Sequence, residues 1–389
     1  MTIRALNSVT YEKADDVNYI NYVLAYFTFQ ALNLFVKLVI IDFPYWTIIS
    51  RGILAIFLLR AMMDFVKTNL KTFVIVESLA LIGFGYTMLI GDYQREEFLS
   101  IVFNAIVVFL PLSFCIASIS DYKKFMQKLY LAAWPIIVIL SATSIHQTFS
   151  IYDYNMPLSY AILLQLLIVV DHFTETRKWY DFLLASLLVS LIVICGSRGP
   201  LLSFFFYLVL LIGFSKRLST SKRLVLIFTI LILIVITIAA MDRILLFLIG
   251  VLDEHDISSR TLYYLLEQNY SGTGRDVLYR LYINKAFHGP LFGFGIAGGW
   301  EDSYYPHNIF LEFFLSFGLI IGLLFAIVLI AIIIEGVKIK NVTKQRVALV
   351  FISYCSCLLV SNSFILEPVF FAMIPICLSD KRVVLKFGD

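Results

Sequence analysis

Residues 305–334 read YPHNIFLEFFLSFGLIIGLLFAIVLIAIII, a polar tetrapeptide followed at once by a long apolar run that contains one charged residue, Glu312. A helix that crosses a bilayer needs about 20 predominantly apolar residues, and this run supplies them. The residues before it, 241–305, form a polar island between apolar segments. Polar and ionisable groups at a membrane boundary are costly to place, so this island and its edge are the first candidates for function.

The same apolar pattern recurs along the chain. Of the 389 residues, 60% are apolar and 15% are charged, and the mean hydropathy is +0.90, whereas soluble domains contain about 25% charged residues. The composition therefore predicts an all-α polytopic membrane protein. Twelve segments are predicted to span the membrane: 18–41, 44–63, 71–91, 98–118, 128–146, 157–172, 181–196, 200–214, 223–241, 307–334, 346–362 and 365–379.

Basic residues between these spans predict the orientation, because Lys and Arg concentrate in cytoplasmic connections. Alternate connections carry them, at 67–71, 123–128, 177–178, 216–223 and 338–346, as does the tail at 381–386. The opposite connections 146–157 and 363–365 contain none. Both termini are therefore predicted to be cytoplasmic. The chain then divides into residues 1–240 with nine spans, an extracytoplasmic loop at 241–305, and residues 306–389 with three spans and a cytoplasmic tail.

Composition also excludes several classes of protein. No block of Lys and Arg is present of the kind that nucleic-acid binding needs, so no nucleic-acid partner is expected. The five cysteines all fall inside apolar segments, which predicts neither a disulfide framework nor a metal site. The cluster Asp253-Glu254-His255-Asp256 has side chains that could bind a metal, but its spacing fits no known cage and favours a solvated loop. No metal or other cofactor is expected.

A helix is predicted from about 274 to 287, after Thr273-Gly274-Arg275-Asp276, whose Thr and Asp resemble a capping box. Arg275 then lies in the first turn, where a cation opposes the helix dipole. A helix N-terminus with a guanidinium and flanking glycines favours a bound phosphate, and a surface salt bridge is the alternative. Arg280 and Lys285 on the same helix either contact an anionic head group or substrate, or are solvated charges.

The segment Gly293-Phe-Gly-Ile-Ala-Gly298 spells G-x-G-x-x-G. A dinucleotide-binding loop needs a strand before this motif and a helix after it, and an outer loop beside a membrane supplies neither. Its glycines are instead predicted to let the loop backbone pass close to other parts of the chain or to sugar.

His307 is predicted to begin the tenth span, with Pro306 in a first-turn position. The positive end of that helix disfavours the imidazolium and leaves a neutral ring able to accept a proton. Gly318 lies about three turns further, on the same face, and Gly322 follows at i+4, which predicts close helix packing. Glu312 is buried in apolar sequence and needs a partner. A purely structural, helix-capping His307 is the alternative.

Three further basic residues lie within or beside apolar runs. Arg198 belongs to the turn 195–200, which joins two short spans and is predicted to be recessed, so a functional role is favoured over snorkelling. Arg51 and Lys37 can both snorkel outward, with Asp42 as a neighbour. A structural role is favoured for each of these two, and Arg51 is the better functional candidate.

Two runs, GTGRDVLYRLYINKAFHGPLFGFG (272–295) and HNIFLEFFLSFGLIIG (307–322), resemble the O-antigen ligase and polymerase superfamily, which includes Wzy-type polymerases of bacterial surface polysaccharides. In that family an outer-loop Gly-Arg precedes a helix, a Pro-x-x-Gly-x-Gly turn follows, and His-Asn opens a span. The family pattern His-Asn, nine residues, Gly, three residues, Gly is met by His307, Asn308, Gly318 and Gly322. An earlier outer turn also matches, through Ser197, Arg198 and Gly199.

The resemblance covers roughly 190–215 and 270–322, and elsewhere it extends only to topology. It implies a GT-C-like fold with a large extracytoplasmic loop between the ninth and tenth of about 12 helices. It also implies a metal-independent, inverting glycosyltransferase of the bacterial cytoplasmic (inner) membrane. The donor and the acceptor would both be glycans carried on undecaprenyl pyrophosphate, in contact with membrane lipid.

The same resemblance implies roles for individual residues. Arg198 and Arg275 would hold the pyrophosphate, and His307 would stand near the acceptor hydroxyl as the base. Glu312, Glu301 and Asp302 are the alternative bases. Aromatic residues of the island would either stack on sugar rings or anchor the chain at the interface. The residues expected to bind substrate are Arg280, Asn308, Tyr305, Tyr304, Trp300, Arg51 and Glu312.

The superfamily divides into polymerases, which join repeat units, and ligases, which attach finished chains to lipid A-core. The run HNIFLE and the Tyr-rich approach 303–305 are more similar to a polymerase, for which a flippase and a chain-length regulator are the expected companions. A lipid-linked glycan transporter is a further alternative. It predicts charges along a mid-membrane cavity and an internal repeat, whereas the distinctive charges here gather at the outer face and no repeat is evident. A non-catalytic assembly scaffold is another alternative.

Overall fold

The computed structural model describes residues 3–40, 46–90, 95–148, 155–195, 197–214, 275–300 and 305–378, together with isolated positions at 93 and between 221 and 254. Every regular element in this described part is helical. The helices are α1 (Ile3–Val39), α2 (Trp46–Ile90), α3 (Arg95–Asn104), α4 (Leu110–Ala117), α5 (Tyr122–Thr148), α6 (Met156–Thr176), α7 (Trp179–Ile194), α8 (Arg198–Phe214), α9 (Arg275–His288), α10 (Ile309–Lys338), α11 (Val342–Cys355) and α12 (Pro368–Leu378). A π-helical stretch, Ala105–Phe109, joins α3 to α4, and two 3₁₀ turns, Ser356–Leu359 and Phe364–Leu366, lie between α11 and α12.

Within the described residues, seven helices are long and apolar enough to cross a membrane: Asp16–Val39, Asn69–Ile90, Phe98–Ala117, Tyr122–His146, Met156–Thr176, Ile309–Lys338 and Val342–Leu359. Three more, Trp179–Ile194, Gly199–Phe214 and Pro368–Leu378, are apolar but shorter. The prediction of an all-α polytopic membrane protein is therefore confirmed for the described residues. The count of twelve spans and the GT-C-like arrangement remain predictions, and most of 223–274 lies outside the described residues.

The second and third predicted spans, 44–63 and 71–91, belong to one element in the structure. Helix α2 continues through the expected connection and is interrupted only at Asn69, whose φ of −134° and ψ of 32° are not helical. A backbone kink therefore takes the place of the predicted connection.

Burial separates the central helix from the outer ones. In the segment Val342–Leu359, 78% of the residues are buried inside the protein, although the mean hydropathy is only 1.3. In the most hydrophobic 18 residues of Asn69–Ile90 the corresponding values are 11% and 2.0. A helix that is buried in protein can carry polar residues that pair with neighbours, whereas a helix facing lipid cannot. Helix α11 is accordingly the core of the bundle.

The helices define two ends of the bundle. The loop end comprises residues 291–300, 305–308 and 359–367, and the start of α6 joins it because the Ser361 hydroxyl lies 2.9 Å from the Met156 sulfur. The cavity end comprises Asp16 and residues 120–128, 171–181 and 343–346.

At the cavity end, the Asp16 carboxylate accepts hydrogen bonds from the backbone N–H of Ser120 and of Asp121, 3.0 and 3.1 Å away. The basic connections 123–128, 177–178 and 338–346 all lie at this end. The compartment that each end faces remains a prediction.

Helix α10 is broken near its start. Gly318 has φ 73° and ψ 172°, and the rings of Phe313 and Phe325 lie 5.9 Å apart, although twelve residues of straight helix would separate them by about 18 Å. The second segment therefore folds back against the first. A Cβ on Gly322 would lie 2.7 Å from the Phe313 carbonyl oxygen. The prediction that Gly318 and Gly322 share one face of a straight helix is therefore wrong, although Gly322 does allow a close approach.

The break frees two carbonyl groups, which the glycine-rich loop then satisfies. In a continuous helix the carbonyls of Leu315 and Ser316 would accept from the fourth residue beyond each. Here they accept from the backbone N–H of Phe294 and Gly295, each at 2.9 Å. A Cβ on Gly293 would lie 2.5 Å from the Gly318 nitrogen, so only glycine fits. The prediction that these glycines let the loop approach other parts of the chain is confirmed.

Helix α2 holds the other side of this loop. The Tyr86 hydroxyl donates to the Gly293 carbonyl at 3.2 Å, and the Thr87 hydroxyl donates to the Ile296 carbonyl at 3.1 Å. The loop 291–300 is therefore clamped between α2 and the break in α10. This clamp fixes the backbone that leads toward residues 305–308.

Candidate functional site

The turn at His307 is built around the side chain of Asn308. Its oxygen accepts from the backbone N–H of Phe310 and Leu311, both at 3.1 Å, and its amide donates to the Leu359 carbonyl at 3.0 Å. Asn308 is therefore the N-cap of α10, and His307 precedes the cap with a φ of 54°.

The helix therefore starts at Ile309, two residues after the predicted start at His307, and Pro306 lies outside its first turn. The prediction failed because Asn, a strongly preferred cap residue, outcompetes the start that Pro306 would favour. Asn308 was expected to bind substrate, and the structure engages both polar groups of its side chain within the protein. His307 still stands beside the positive end of α10.

Aromatic rings surround His307. The ring centroids of Tyr305 and His307 lie 4.3 Å apart, and those of Trp300 and Tyr305 lie 5.7 Å apart. Trp300 is only 9% exposed, whereas Tyr305 and His307 are half-buried. The structure thus brings together three residues that the sequence singled out. Trp300 offers little open ring face to a sugar, and Tyr305 is the more accessible aromatic side chain.

Glu312 lies one turn into α10 and is fully buried. Its carboxylate accepts from the Ser363 hydroxyl, and from the Phe364 backbone N–H at 3.2 Å. The expectation that this buried carboxylate needs a partner is confirmed, and the partner is the 359–367 turn. Because both carboxylate oxygens are engaged inside the protein, Glu312 is placed to brace the His307 turn.

A second buried carboxylate holds the same turn from the other side. Glu367 accepts from the Asn362 amide at 2.8 Å and from the Val369 backbone N–H at 3.2 Å. Asn362 has a φ of 61°, so this network holds a left-handed residue in place. Two buried carboxylates therefore hold the 359–367 turn, to which Asn308 is bonded.

An apolar groove of about 530 Å³ runs beside this site, between α9 and the broken start of α10. Its lining residues are Tyr279, Ile283, Ala286, Phe287, Asn308, Phe310, Leu311, Phe314, Leu319 and Leu323. Helix α9 comprises Arg275–His288 among the described residues, and its end lies one residue from the predicted limit. Arg280 is exposed on α9. The Lys285 ammonium lies 5.0 Å from the centre of the Phe294 ring, which joins α9 to the glycine-rich loop.

Helices α8 and α9 begin at the two arginines expected to bind pyrophosphate, Arg198 and Arg275. Ser197 is 3% exposed, and a Cβ on Gly199 would collide with the Tyr160 hydroxyl, so this turn packs closely against α6, and its recessed position in the membrane remains a prediction. Lys37 is exposed at the end of α1. The remaining candidates lie outside the described residues: the side chains of Arg51, Arg198 and Arg275, and all of Asp42, Glu301, Asp302 and Tyr304.

A second polar cluster, at the cavity end, was not foreseen from the sequence. The Arg346 guanidinium donates from Nε to Asp171 at 2.8 Å and from a terminal nitrogen to Glu175 at 2.6 Å. His172 Nδ1 lies 2.7 Å from an Asp181 carboxylate oxygen. The sequence did contain a signal for this cluster. Asp171 and Arg346 are charged residues inside two predicted spans, 157–172 and 346–362, and such charges need partners.

Within the described part of the chain, no three His, Cys, Asp or Glu side chains are grouped so as to hold a metal ion. The five cysteines are free thiols in buried positions. Comparison with known proteins gives no match to any family model, to any curated protein or to any solved structure. What the chain does has therefore to be inferred from its own residues.

Proposed function

We propose that this chain is a polymerase that joins oligosaccharide repeat units carried on undecaprenyl pyrophosphate, at the outer face of a bacterial cytoplasmic membrane. One observation carries the proposal. The motif residues His307, Asn308, Gly318 and Gly322 are not merely similar to a family pattern, because each has a distinct part in one built turn. Asn308 caps the helix, Gly318 breaks it, Gly322 lets it fold back, and His307 lies at the edge of the aromatic cluster.

The groove beside Asn308 supports a lipid-linked substrate. Of its ten lining residues, only Asn308 and Tyr279 carry a polar side-chain group, and pockets of roughly 300–1,000 Å³ are typical of small-molecule sites. An isoprenoid chain is wholly apolar, so it can enter such a groove from the lipid without leaving buried polar groups unpaired. A donor lying there would place its pyrophosphate toward the His307 turn.

The helix starts at Arg198 and Arg275 support pyrophosphate binding. The N-terminus of a helix attracts anions through its unsatisfied N–H groups and its dipole, and a guanidinium adds charge-assisted hydrogen bonds. Preorganised donors of this kind lower the free energy of the transition state by about 3 kcal/mol for each good contact. These donors would stabilise the negative charge that develops on the pyrophosphate leaving group.

The reaction that we propose for these residues is a direct displacement. A hydroxyl of the acceptor sugar attacks the anomeric carbon of the donor glycan from the face opposite the pyrophosphate. The new carbon–oxygen bond forms as the old one breaks, the pyrophosphate leaves with the bonding electrons, and His307 takes the hydroxyl proton. Backside attack inverts the anomeric centre. A positioned base contributes about 10²–10⁴-fold to such a step.

The test uses purified protein and a defined lipid-linked repeat unit, with products separated by length. The wild-type chain is expected to give long ladders. His307→Ala is expected to lose about 10²–10⁴-fold in rate, and Arg275→Ala is expected to lose about 10²-fold. The matched control is His288→Ala, because His288 is exposed at the end of α9 and bonds only to the Asn284 carbonyl among the described residues.

The products also separate the alternatives. Transfer to lipid A-core alone would identify a ligase, and leaflet crossing without a new glycosidic bond would identify a transporter. Ladders of normal length and rate from both His307→Ala and Arg275→Ala would overturn the proposed site.

A further inference from the structure

The cavity end of the bundle contains a cavity of about 430 Å³, enclosed by the starts of α5 and α11 and the end of α6. Its lining residues are Lys123, Met126, Gln127, Tyr130, Ile168, Asp171, His172, Glu175, Thr176, Thr343 and Arg346. Only Met126 and Ile168 among them are without a strongly polar group. The cavity therefore favours a hydrophilic occupant, in contrast to the groove at the loop end, and its volume lies within the usual range for ligand sites.

The strongest charges in this cavity are already paired. Arg346 is nearly buried, and its guanidinium lies between the carboxylates of Asp171 and Glu175. The Tyr207 hydroxyl donates to Asp171 at 3.4 Å. A free anion entering the cavity would meet Glu175 and Asp171, and a free cation would meet Arg346 and Lys123. The lining therefore offers little net charge to either ion.

A second pair fixes the imidazole in the wall. His172 Nδ1 faces Asp181, whose other carboxylate oxygen accepts from the Tyr130 hydroxyl at 2.6 Å. The rings of Tyr130 and His172 are stacked, with centroids 3.6 Å apart, and Thr176 also donates to Asp181 at 3.2 Å. Because Nδ1 is engaged with Asp181, the opposite ring nitrogen, Nε2, is the one available to an occupant.

Three further polar side chains of the lining make no hydrogen bond to another described residue. They are Lys123, Gln127 and Thr343. An amide both donates and accepts, a hydroxyl does the same, and an ammonium group donates. The wall thus presents donors and acceptors together with balanced charge.

We propose that this cavity binds a hydroxyl-rich group, either a free saccharide or the polyol headgroup of a glycolipid. A sugar hydroxyl is uncharged and can donate and accept at once, which matches a wall of mixed donors and acceptors with paired ions. Gln127, Thr343 and His172 supply the principal contacts, and Lys123 closes the rim. The site is separate from the His307 turn and does not depend on the proposed polymerase activity.

The experiment measures binding by calorimetry to the full chain in nanodiscs prepared without sugar-based detergent. The probes are trehalose and myo-inositol in solution, a diglucosyl diacylglycerol in the disc, and inorganic phosphate. Saturable binding of a hydroxyl-rich probe is expected. Binding of the soluble probes supports a free saccharide as ligand, and binding of the glycolipid alone supports a headgroup.

Two single-residue variants and one control test the assignment. Gln127→Ala and Thr343→Val are each expected to weaken binding about 2- to 10-fold, as the loss of one hydrogen bond predicts. Lys124→Ala, next to a lining residue but outside the cavity wall, is expected to bind as the wild type does. All three are expected to unfold at the wild-type temperature.

Three outcomes would overturn the proposal. They are the absence of saturable binding by all hydroxyl-rich probes, binding that neither variant weakens, and binding of phosphate alone. None of these outcomes would alter ladder formation at the loop end, so failure here and failure of the polymerase proposal are distinguishable.

Discussion

The two ends of the bundle hold their polar groups by different means. At the loop end the backbone dominates: the carbonyls freed at Leu315 and Ser316 bind the glycine-rich loop, and Asn308 caps a helix and ties it to the Leu359 carbonyl. At the cavity end charged side chains dominate, and Arg346 joins Asp171 across 175 residues of sequence. One end is shaped by where glycine and asparagine permit turns, and the other by which buried charges find partners.

This difference predicts how each end responds to substitution. A buried ion that loses its partner finds no other group to pair with in a dry interior. Substitutions at the cavity end should therefore lower the free energy of unfolding strongly. A backbone turn that loses its cap can relax toward a neighbouring geometry, so the loop end should lose function before it loses the fold. Three predictions test this contrast.

The largest effect is expected for Arg346→Ala at the cavity end. The substitution leaves the fully buried carboxylate of Asp171 without its cation, which typically costs 3–5 kcal/mol. The measurement is the free energy of unfolding in mixed micelles. Lys124→Ala, a nearby position whose side chain bonds nothing among the described residues, is expected to change that free energy by no more than about 0.5 kcal/mol.

A double variant sharpens this prediction. Replacing both charges, in Asp171→Leu with Arg346→Met, removes the uncompensated ion and is expected to recover part of the lost stability, because a buried pair often contributes little net stability. If Arg346→Ala unfolds at the same point as Lys124→Ala, the buried ion pair does not stabilise this end.

The same difference explains what the sequence could predict. The end of helix α9 was placed within one residue because its stop at 288–290 is a local signal. The G-x-G-x-x-G loop was predicted to approach other parts of the chain closely because its context does not match a dinucleotide-binding loop, and it docks on α2 and α10. The turn at Arg198 was singled out because it joins two short apolar runs, and Gly199 there packs closely against Tyr160.

The features that were missed or misplaced depend on contacts between residues that are distant in sequence, or on competition between local conformational preferences. The start of α10 moved from His307 to Ile309 because Asn308 is the stronger cap. The break at Gly318 was missed because a straight helix was assumed, although a glycine inside an apolar run was a signal for it. The His172–Asp181 pair depends on the hairpin between α6 and α7, and the Asp171–Arg346 pair depends on a packing of α6 against α11 that no spacing rule predicts.

An intermediate effect is expected for Gly318→Ala at the loop end. Its φ of 73° and ψ of 172° lie in a region that is essentially restricted to glycine, with a cost of about 1–3 kcal/mol for other residues. A Cβ there would also collide with the Leu291 carbonyl oxygen. The chain is expected to unfold at a lower temperature and to lose ladder formation, because the loop 291–300 can no longer dock on α10.

Gly85→Ala in α2 is the matched control for this substitution. A Cβ at Gly85 meets nothing within 4 Å, and replacing glycine by alanine inside a helix stabilises it by roughly 0.5–1 kcal/mol. The control should therefore be as stable as the wild type or slightly more so. Equal losses in Gly85→Ala and Gly318→Ala would show that the break has no special role.

The smallest effect is expected when an asparagine that caps a helix is replaced by alanine, at one end of the bundle or at the other. Asn308 caps α10 at the loop end, and Asn341 caps α11 at the cavity end by accepting from the Lys344 backbone N–H at 3.0 Å. Asn308→Ala and Asn341→Ala should each cost about 0.5–2 kcal/mol of stability, as the loss of a helix cap does. Only Asn308→Ala should also slow ladder formation, because the Asn308 amide ties the His307 turn to the Leu359 carbonyl. Unfolding curves and ladder rates for both variants measure this, and equal rates would mean that the cap orients nothing of functional importance.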